Sequence, residues 1–301
     1  MKFNFPFIKY GRRASILSGL IILIGIVSLF VNGLNLGIDF TGGTIFHLRL
    51  EDGYRMEEVR EVLAPFGLDG VPLQRVGGSE GNEVIAKAPP LAEAERQKII
   101  EAFQEHWTQM TAKDILRIEN VGAVIGKELT REAFLALVVA ALGMVLYITL
   151  RFEFKFALAA IIALLHDAFI MVAIFSIFMI EINSTFIAAI LTIIGYSIND
   201  TIVIFDRIRE NLKTRRKKAV PEVVNDSINE NLIRCINTSL TTLVVLICLF
   251  IAFNFFIGGM DLKVFALALM VGVIAGTYSS IFIASPLWLL FRKEGIIEQQ
   301  Q

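Results

Sequence analysis

Gly195-Tyr-Ser-Ile-Asn-Asp-Thr-Ile-Val-Ile-Phe-Asp-Arg-Ile-Arg-Glu-Asn211 places Asn199 and Asp200 inside an otherwise apolar helical stretch, which then runs into basic residues. A carboxylate at bilayer depth is expensive and is usually kept for an ion or proton path. The residues upstream extend this stretch to an apolar segment over 184–205, long enough for a helix to cross a hydrocarbon core. Five more such segments flank it, over 14–34, 132–150, 156–180, 234–256 and 264–291. With 55% hydrophobic residues in 301 and a mean hydropathy of +0.66, the chain reads as a mainly α membrane protein of six transmembrane helices.

The first segment follows Lys9, Arg12 and Arg13 and so has the charge order of a signal peptide. Its apolar core, 16–31, is longer than a usual h-region and no small-x-small site follows, so it is read as a retained anchor. Lysine and arginine gather in 1–13, at Arg151 and Lys155, in 207–218 and at Arg292 and Lys293. All four groups fall on one side of a six-span layout, whereas the short opposite loops hold only Lys263. The positive-inside rule then puts both termini in the cytoplasm. The expected organisation is a cytoplasmic N-terminus 1–13, a first span 14–34, an extracytoplasmic domain 35–131, a five-helix transmembrane region 132–291 and a cytoplasmic tail 292–301.

The long loop reads as a small α+β domain. Residues 44–50, 71–76, 83–88 and 115–121 have strand character, 54–63 and 91–107 have helical spacing, and Gly77 to Asn82 is a turn. The order β-α-β-β-α-β is that of a ferredoxin-like split unit. Ahead of it, Gly37-Ile-Asp-Phe-Thr-Gly-Gly-Thr44 reads as a constrained turn feeding a strand; without a following Gly-Lys-Ser/Thr it is no P-loop.

Tyr196, Asn199 and Asp200 fall within one helical turn and are expected on one face. Asp200 either hydrogen-bonds a neighbouring helix, which Gly195 and Ser197 would let approach, or carries a function. The second reading is favoured because Asn or Ser would do the first job at lower desolvation cost. The fifth segment opens with Arg234, Thr238 and Thr241 at i, i+4 and i+7, beside Asn237, Ser239 and Thr242. Arg234 either snorkels to the surface or faces Asp200, where it would favour the charged carboxylate that burial opposes. His166-Asp167, near the middle of the third span, is either part of a pathway or a structural hydrogen-bonding pair. Asp206, Arg207, Arg209 and Glu210 read as a solvated charge network at the cytoplasmic edge, and 213–218 as a topology-setting loop that touches anionic lipid. Cys235 and Cys248 have neither disulfide nor metal spacing and read as small membrane-helix residues. The sequence holds no nucleotide, metal or nucleic-acid motif and no nucleophile with a paired base, so no enzyme and no bound cofactor are expected.

Three motifs in order resemble the SecD/SecF family of protein-export membrane proteins, and its SecF side in particular. They are Gly37-Ile-Asp-Phe-Thr-Gly-Gly43, Val121-Gly-Ala-Val-Ile-Gly-Lys-Glu-Leu129, and Gly195 to Asn211 followed by Asn237-Thr-Ser-Leu-Thr-Thr242. Leu165-His166-Asp167 fits as well, whereas the family often has proline at the place of Ala123. The resemblance implies half of a resistance-nodulation-division-type transporter in the bacterial cytoplasmic (inner) membrane. It implies assistance to late Sec-dependent translocation, driven by the proton gradient without a cofactor. It makes Asp200 the intramembrane carboxylate and Arg234 the basic residue facing it, with Asn199, His166, Asp167 and Thr238 as further proton-pathway candidates. The implied partners are SecD, the SecYEG channel, YajC as a further candidate, an unfolded secretory polypeptide and membrane lipids, with no nucleic acid. Two alternatives stand beside it: half of a proton-coupled exporter of small molecules or lipids, and a passive scaffold for a SecD-like partner.

Overall fold

The structure, a computed structural model, describes residues 5–76, 81–215, 217–253 and 260–297. Residues 77–80 of the expected turn, Arg216 of the basic loop, the fifth span past Phe253 and the tail past Ile297 lie outside the described residues. In chain order the elements are α1 (Phe7–Val31), α2 (Ile38–Thr41), β1 (Gly43–Arg49), α3 (Met56–Leu63), β2 (Leu73–Val76), β3 (Glu83–Ala88), α4 (Glu93–His106) and β4 (Ile115–Val121). There follow α5 (Ala123–Arg151), α6 (Phe154–Ile177), α7 (Ser184–Thr214), α8 (Val220–Ala252), α9 (Met260–Ser279), a π turn (Ser280–Ala284) and α10 (Ser285–Ile297). They form two compact units, Met1–Asn35 with Phe134–Gln301, and Leu36–Ala133.

In the first unit six helical runs are long and apolar enough to cross a membrane: α1, α5, α6, α7, α8 and the run Asp261–Arg292. Several outrun their apolar parts. The first begins at Phe7 instead of 14, α5 at Ala123 instead of 132, and α8 at Val220 instead of 234, while α7 continues past 205 to Thr214. A helix satisfies its own backbone in lipid and water alike, so apolar length marks only the portion that can sit in hydrocarbon. Side chains hold the polar extensions. Phe7 packs on Phe282 with ring centroids 5.5 Å apart. Between α7 and α8, Arg207 Nε donates to Glu230 at 2.6 Å and Asn211 Nδ2 to Ser227 Oγ at 2.9 Å. Arg215 donates to Asp226 at 2.9 Å and Lys218 to the same carboxylate at 2.7 Å. Much of the expected basic loop is therefore a tight helical hairpin. Partly exposed pairs of this kind are worth about 0–1 kcal/mol each, so their role is to fix which helix faces pair.

The membrane unit buries α6, α7 and α9 more than α1, α5 and α8. Close backbone approach makes this possible. A Cβ on Gly25 of α1 would lie 2.2 Å from the Cβ of Ala173 on α6, and nearby Ser176 Oγ donates to Ser28 Oγ at 3.0 Å. Without a hydrophobic drive between helices in lipid, such small-residue contacts and hydrogen bonds are what associate them.

The second unit is an antiparallel sheet in the order β2-β3-β1-β4, so β1 and β2 flank β3 as in a split βαβ unit. Phe46 and Leu48 alternate inward along β1 and join Val59 and Leu63 of α3 and Ile99 and Phe103 of α4 in the core. The helices start two residues later than their spacing suggests. Each is capped by a glutamate reaching back: Glu58 accepts from Arg55 N–H and Glu95 from Ala92 N–H, both at 3.1 Å. Thr44 is fully buried in β1, where its Oγ1 donates to Asn120 Oδ1 at 2.8 Å and accepts from Leu91 N–H at 3.2 Å. Thr44→Val keeps the shape but strands both partners. It is expected to cost about 1–3 kcal/mol, read as lost hydrogen-exchange protection in β1 and β3 of the solubilised chain.

Candidate functional site

Among the described residues, the carboxyl and imidazole side chains buried within the spans are Asp167 at 1% exposure, Asp200 at 5% and His166 at 8%. They make two groups joined along α7. In the first, His166 Nδ1 lies 3.0 Å from Asp167 Oδ1, while Ser197 Oγ of α7 and Ser279 Oγ of α9 both donate to Asp167 Oδ2, at 2.5 and 2.9 Å. One carboxyl therefore ties three helices together. The approach needs Gly276, where a Cβ would sit 2.8 Å from both Cβ and Oγ of Ser197. One turn along, Thr201 Oγ1 lies 2.8 Å from Ser280 Oγ, at the start of the π turn. Pro286, two residues after that turn, lacks the N–H that a regular α ladder would use, which accounts for local rearrangement there.

The second group is Asp200, one turn after Ser197. Its carboxyl lies beside the buried thiol of Cys235 on α8, and the charge of Arg234 acts on it through space. Among the described residues no ion pair within 4.0 Å joins Asp200 to Arg234. Arg234 is exposed on α8, Thr238 half-buried and Asn199 exposed on α7. Asn199 does not share the buried face of Asp200, because adjacent helix positions differ by about 100°; of Tyr196 and Asn199, it is the half-buried Tyr196, four residues back, that lies on the side of the aspartate. Tyr196 donates from its hydroxyl to the Thr238 carbonyl at 3.2 Å and bonds Thr242 Oγ1 at 3.1 Å. The hydroxyls of Thr238, Thr241 and Thr242 also bond back to carbonyls one turn earlier, a pattern that bends helices.

Of the sequence candidates, then, His166 and Asp167 stand together, Asp200 stands one turn of α7 away with Arg234 near it, and Asn199 and Thr238 lie toward the open faces of α7 and α8. Ser279, Ser280, Thr201 and Cys235 belong to the site but were not singled out for it from sequence. Their signal is the Gly272-x-x-x-Gly276 spacing on α9, which marks a close helix contact and hence a place where hydroxyls reach across.

Residues 101–294 match the family model described as protein export membrane protein SecD/SecF, C-terminal, and residues 27–52 match the SecD/SecF GG motif. The chain belongs to the SecD/SecF family. Proteins named protein translocase subunit SecF from Sebaldella termitidis and Alicyclobacillus acidocaldarius are 42% and 41% identical to it, covering 92% and 98% of this chain and 89% and 96% of theirs. The crystal structure of SecDF from Thermus thermophilus, a translocon-associated membrane protein, matches with a TM-score of 0.85 at 38% identity. That match covers 97% of this chain and 39% of the other, so the chain spans about two fifths of SecDF. SecDF in its super-membrane-facing form matches with a TM-score of 0.71 at 36% identity, covering all of this chain and 40% of the other. The resemblance to the SecD/SecF family and the mainly α membrane fold with a small α+β domain are thus borne out. In this SecD/SecF chain the GG motif is a packing device. A Cβ on Gly42 would lie 2.9 Å from Ala123 Cα, and one on Gly126 would lie 2.9 Å from Gly42 N. Ala123 is the first residue of α5, a position that accepts proline or alanine equally well.

Proposed function

We propose that the chain is the SecF-type half of a complex with a SecD-type partner and uses the proton gradient to assist late Sec-dependent translocation across the bacterial cytoplasmic membrane. Both termini are cytoplasmic in this reading and the domain Leu36–Ala133 lies outside. The observation that carries it is Asp200, a carboxyl 5% exposed within a span, beside the Cys235 thiol and with the Arg234 cation near it. An ionisable group kept there at such desolvation cost is what a proton path requires. The open faces of α5 and α8, where Arg234 lies, suit a second half, and this chain covers only 39% of the SecDF chain it matches. His166, Asp167, Asn199 and Thr238 are the remaining pathway positions, SecYEG and YajC the neighbouring machinery, and an unfolded secretory chain the cargo. No cofactor is invoked, because one charge crossing about 100 mV supplies about 2.3 kcal/mol, enough to bias chain movement against backsliding.

The test is translocation into inverted vesicles with ATP present, with the gradient intact or collapsed. Asp200→Asn, which keeps shape and polarity, is expected to assemble normally and to lose the whole gradient-dependent increment. An undiminished increment would leave the carboxyl structural and favour a passive scaffold.

A further inference from the structure

His166 Nε2 is buried and has no hydrogen-bond partner, although the other ring nitrogen is bonded to Asp167. An unpaired polar atom at this depth is costly, and native structures retain few without a reason. The ring lies beside Tyr278 of α9, centroids 6.2 Å apart, and the Tyr278 hydroxyl is itself bonded to the Ala14 carbonyl and to Ser18 of α1. His166 and Asp167 thus form a pair with one unused nitrogen, closed on its other sides by hydroxyls.

We infer that His166 and Asp167 are a second proton-binding site, loaded through Nε2, whose charge state controls the α7–α9 contact that positions Asp200. With one proton bound, the pair is neutral overall, whichever atom carries it. With that proton lost, the pair carries a net negative charge in a dry place. Burying a compensated pair is tolerable; burying a lone carboxylate is far more costly. Loss of the proton therefore favours any rearrangement that admits water to Asp167. The groups that must yield are Ser197 and Ser279, the hydroxyls on Oδ2. Ser279 has an alternative acceptor already in reach, the Gly276 carbonyl at 3.1 Å, so release leaves it satisfied. The adjoining π turn is where α9 is least regular, and Ser197 is one turn from Asp200, so loosening there reaches the second acid directly.

Other titratable groups near this pair are Tyr278 on α9 and Asp200 on α7, with Cys235 and Arg234 beyond Asp200 on α8. Lys9, Tyr10, Arg12 and Arg13 on α1, Asp261 and Lys263 on α9 and Arg292 on α10 are more than a turn along their helices from Ser18 or Tyr278. The link to Asp200 rests on the proposed proton coupling; the latch itself does not.

Amide hydrogen exchange of residues 276–285, measured on the full chain in lipid and corrected for the intrinsic rate, tests this. As the pH is raised across the range in which the chain stays folded, wild type is expected to lose at least about tenfold protection in one step. Asp167→Asn, neutral at every pH and similar in shape, should stay protected with no step, and His166→Gln should displace the step. A wild type without a step, or a step unchanged by either substitution, overturns the latch. In vesicles, Asp167→Asn should flatten the pH dependence of the gradient-driven increment. If Asp200→Asn proves harmless while the exchange step is present, the coupling reading fails and the latch stands.

Discussion

Gly276→Leu is expected to leave little folded chain to recover from the membrane. The substituted Cβ would meet Ser197 at 2.8 Å from its Cβ and 3.3 Å from its Cα, and leucine adds three more carbons beyond that point. Ser197 is too short to swing aside, so α7 and α9 must separate. Overpacking of a tight contact costs about 1–3 kcal/mol and sometimes more, and here separation also breaks both hydroxyl contacts to Asp167 Oδ2. The resulting buried carboxyl without its donors adds a further penalty of the kind charged groups pay. The measurement is the yield of monodisperse chain after mild detergent extraction, with thermal aggregation as the second readout. Gly143→Leu is the matched control: among the described residues nothing beyond its chain neighbours and its own helix backbone lies within 4 Å of a Cβ there, so the fold of this chain should be unchanged. Equal loss at both positions would mean that insertion, not packing of α7 on α9, is being read.

Gly42→Val should unseat the small domain from its own turn while leaving the spans helical. Gly42 has φ +72° and ψ 154°, a region that only glycine enters at no cost. Holding another residue there costs about 1–3 kcal/mol. A Cβ would in addition lie 2.9 Å from Ala123 Cα and 3.2 Å from its N, both backbone atoms that cannot rotate away. Strain and collision together are expected to exceed about 3 kcal/mol. Limited proteolysis should then cut within Leu36–Ala133 at least tenfold faster, with helical circular dichroism nearly unchanged. Unchanged proteolysis would show that the turn can relax without moving α5.

These two glycines illustrate different kinds of legibility. The Gly42-Gly43 pair beside Asp39 is visible in sequence as a constrained turn, because glycine doublets have few other uses. That the turn is fitted against the first residues of α5 is not visible, since Ala123 and Gly126 lie eighty residues later with nothing in the local pattern to link them. Likewise the polar extensions of α7 and α8 read as loop and edge because apolar length was the only marker. Their pairing depends on Glu230 and Asp226 meeting Arg207 and Arg215 across a hairpin, which no window of the sequence contains.

The sequence by itself determined six spans, the α+β order of the inserted domain and the presence of buried acids, because each follows from local periodicity and from the cost of placing charge in hydrocarbon. It also carried enough motif to mark the family. Only the tertiary structure decided which polar residues meet. Asp167 joins Ser197 and Ser279 because glycine and serine on α9 admit α7 to contact, and Asp200 faces Cys235 because successive helix positions turn Arg234 toward another side. Such partnerships are fixed by helix rotation and interaxial distance, quantities set by packing across the bundle and therefore absent from any single segment.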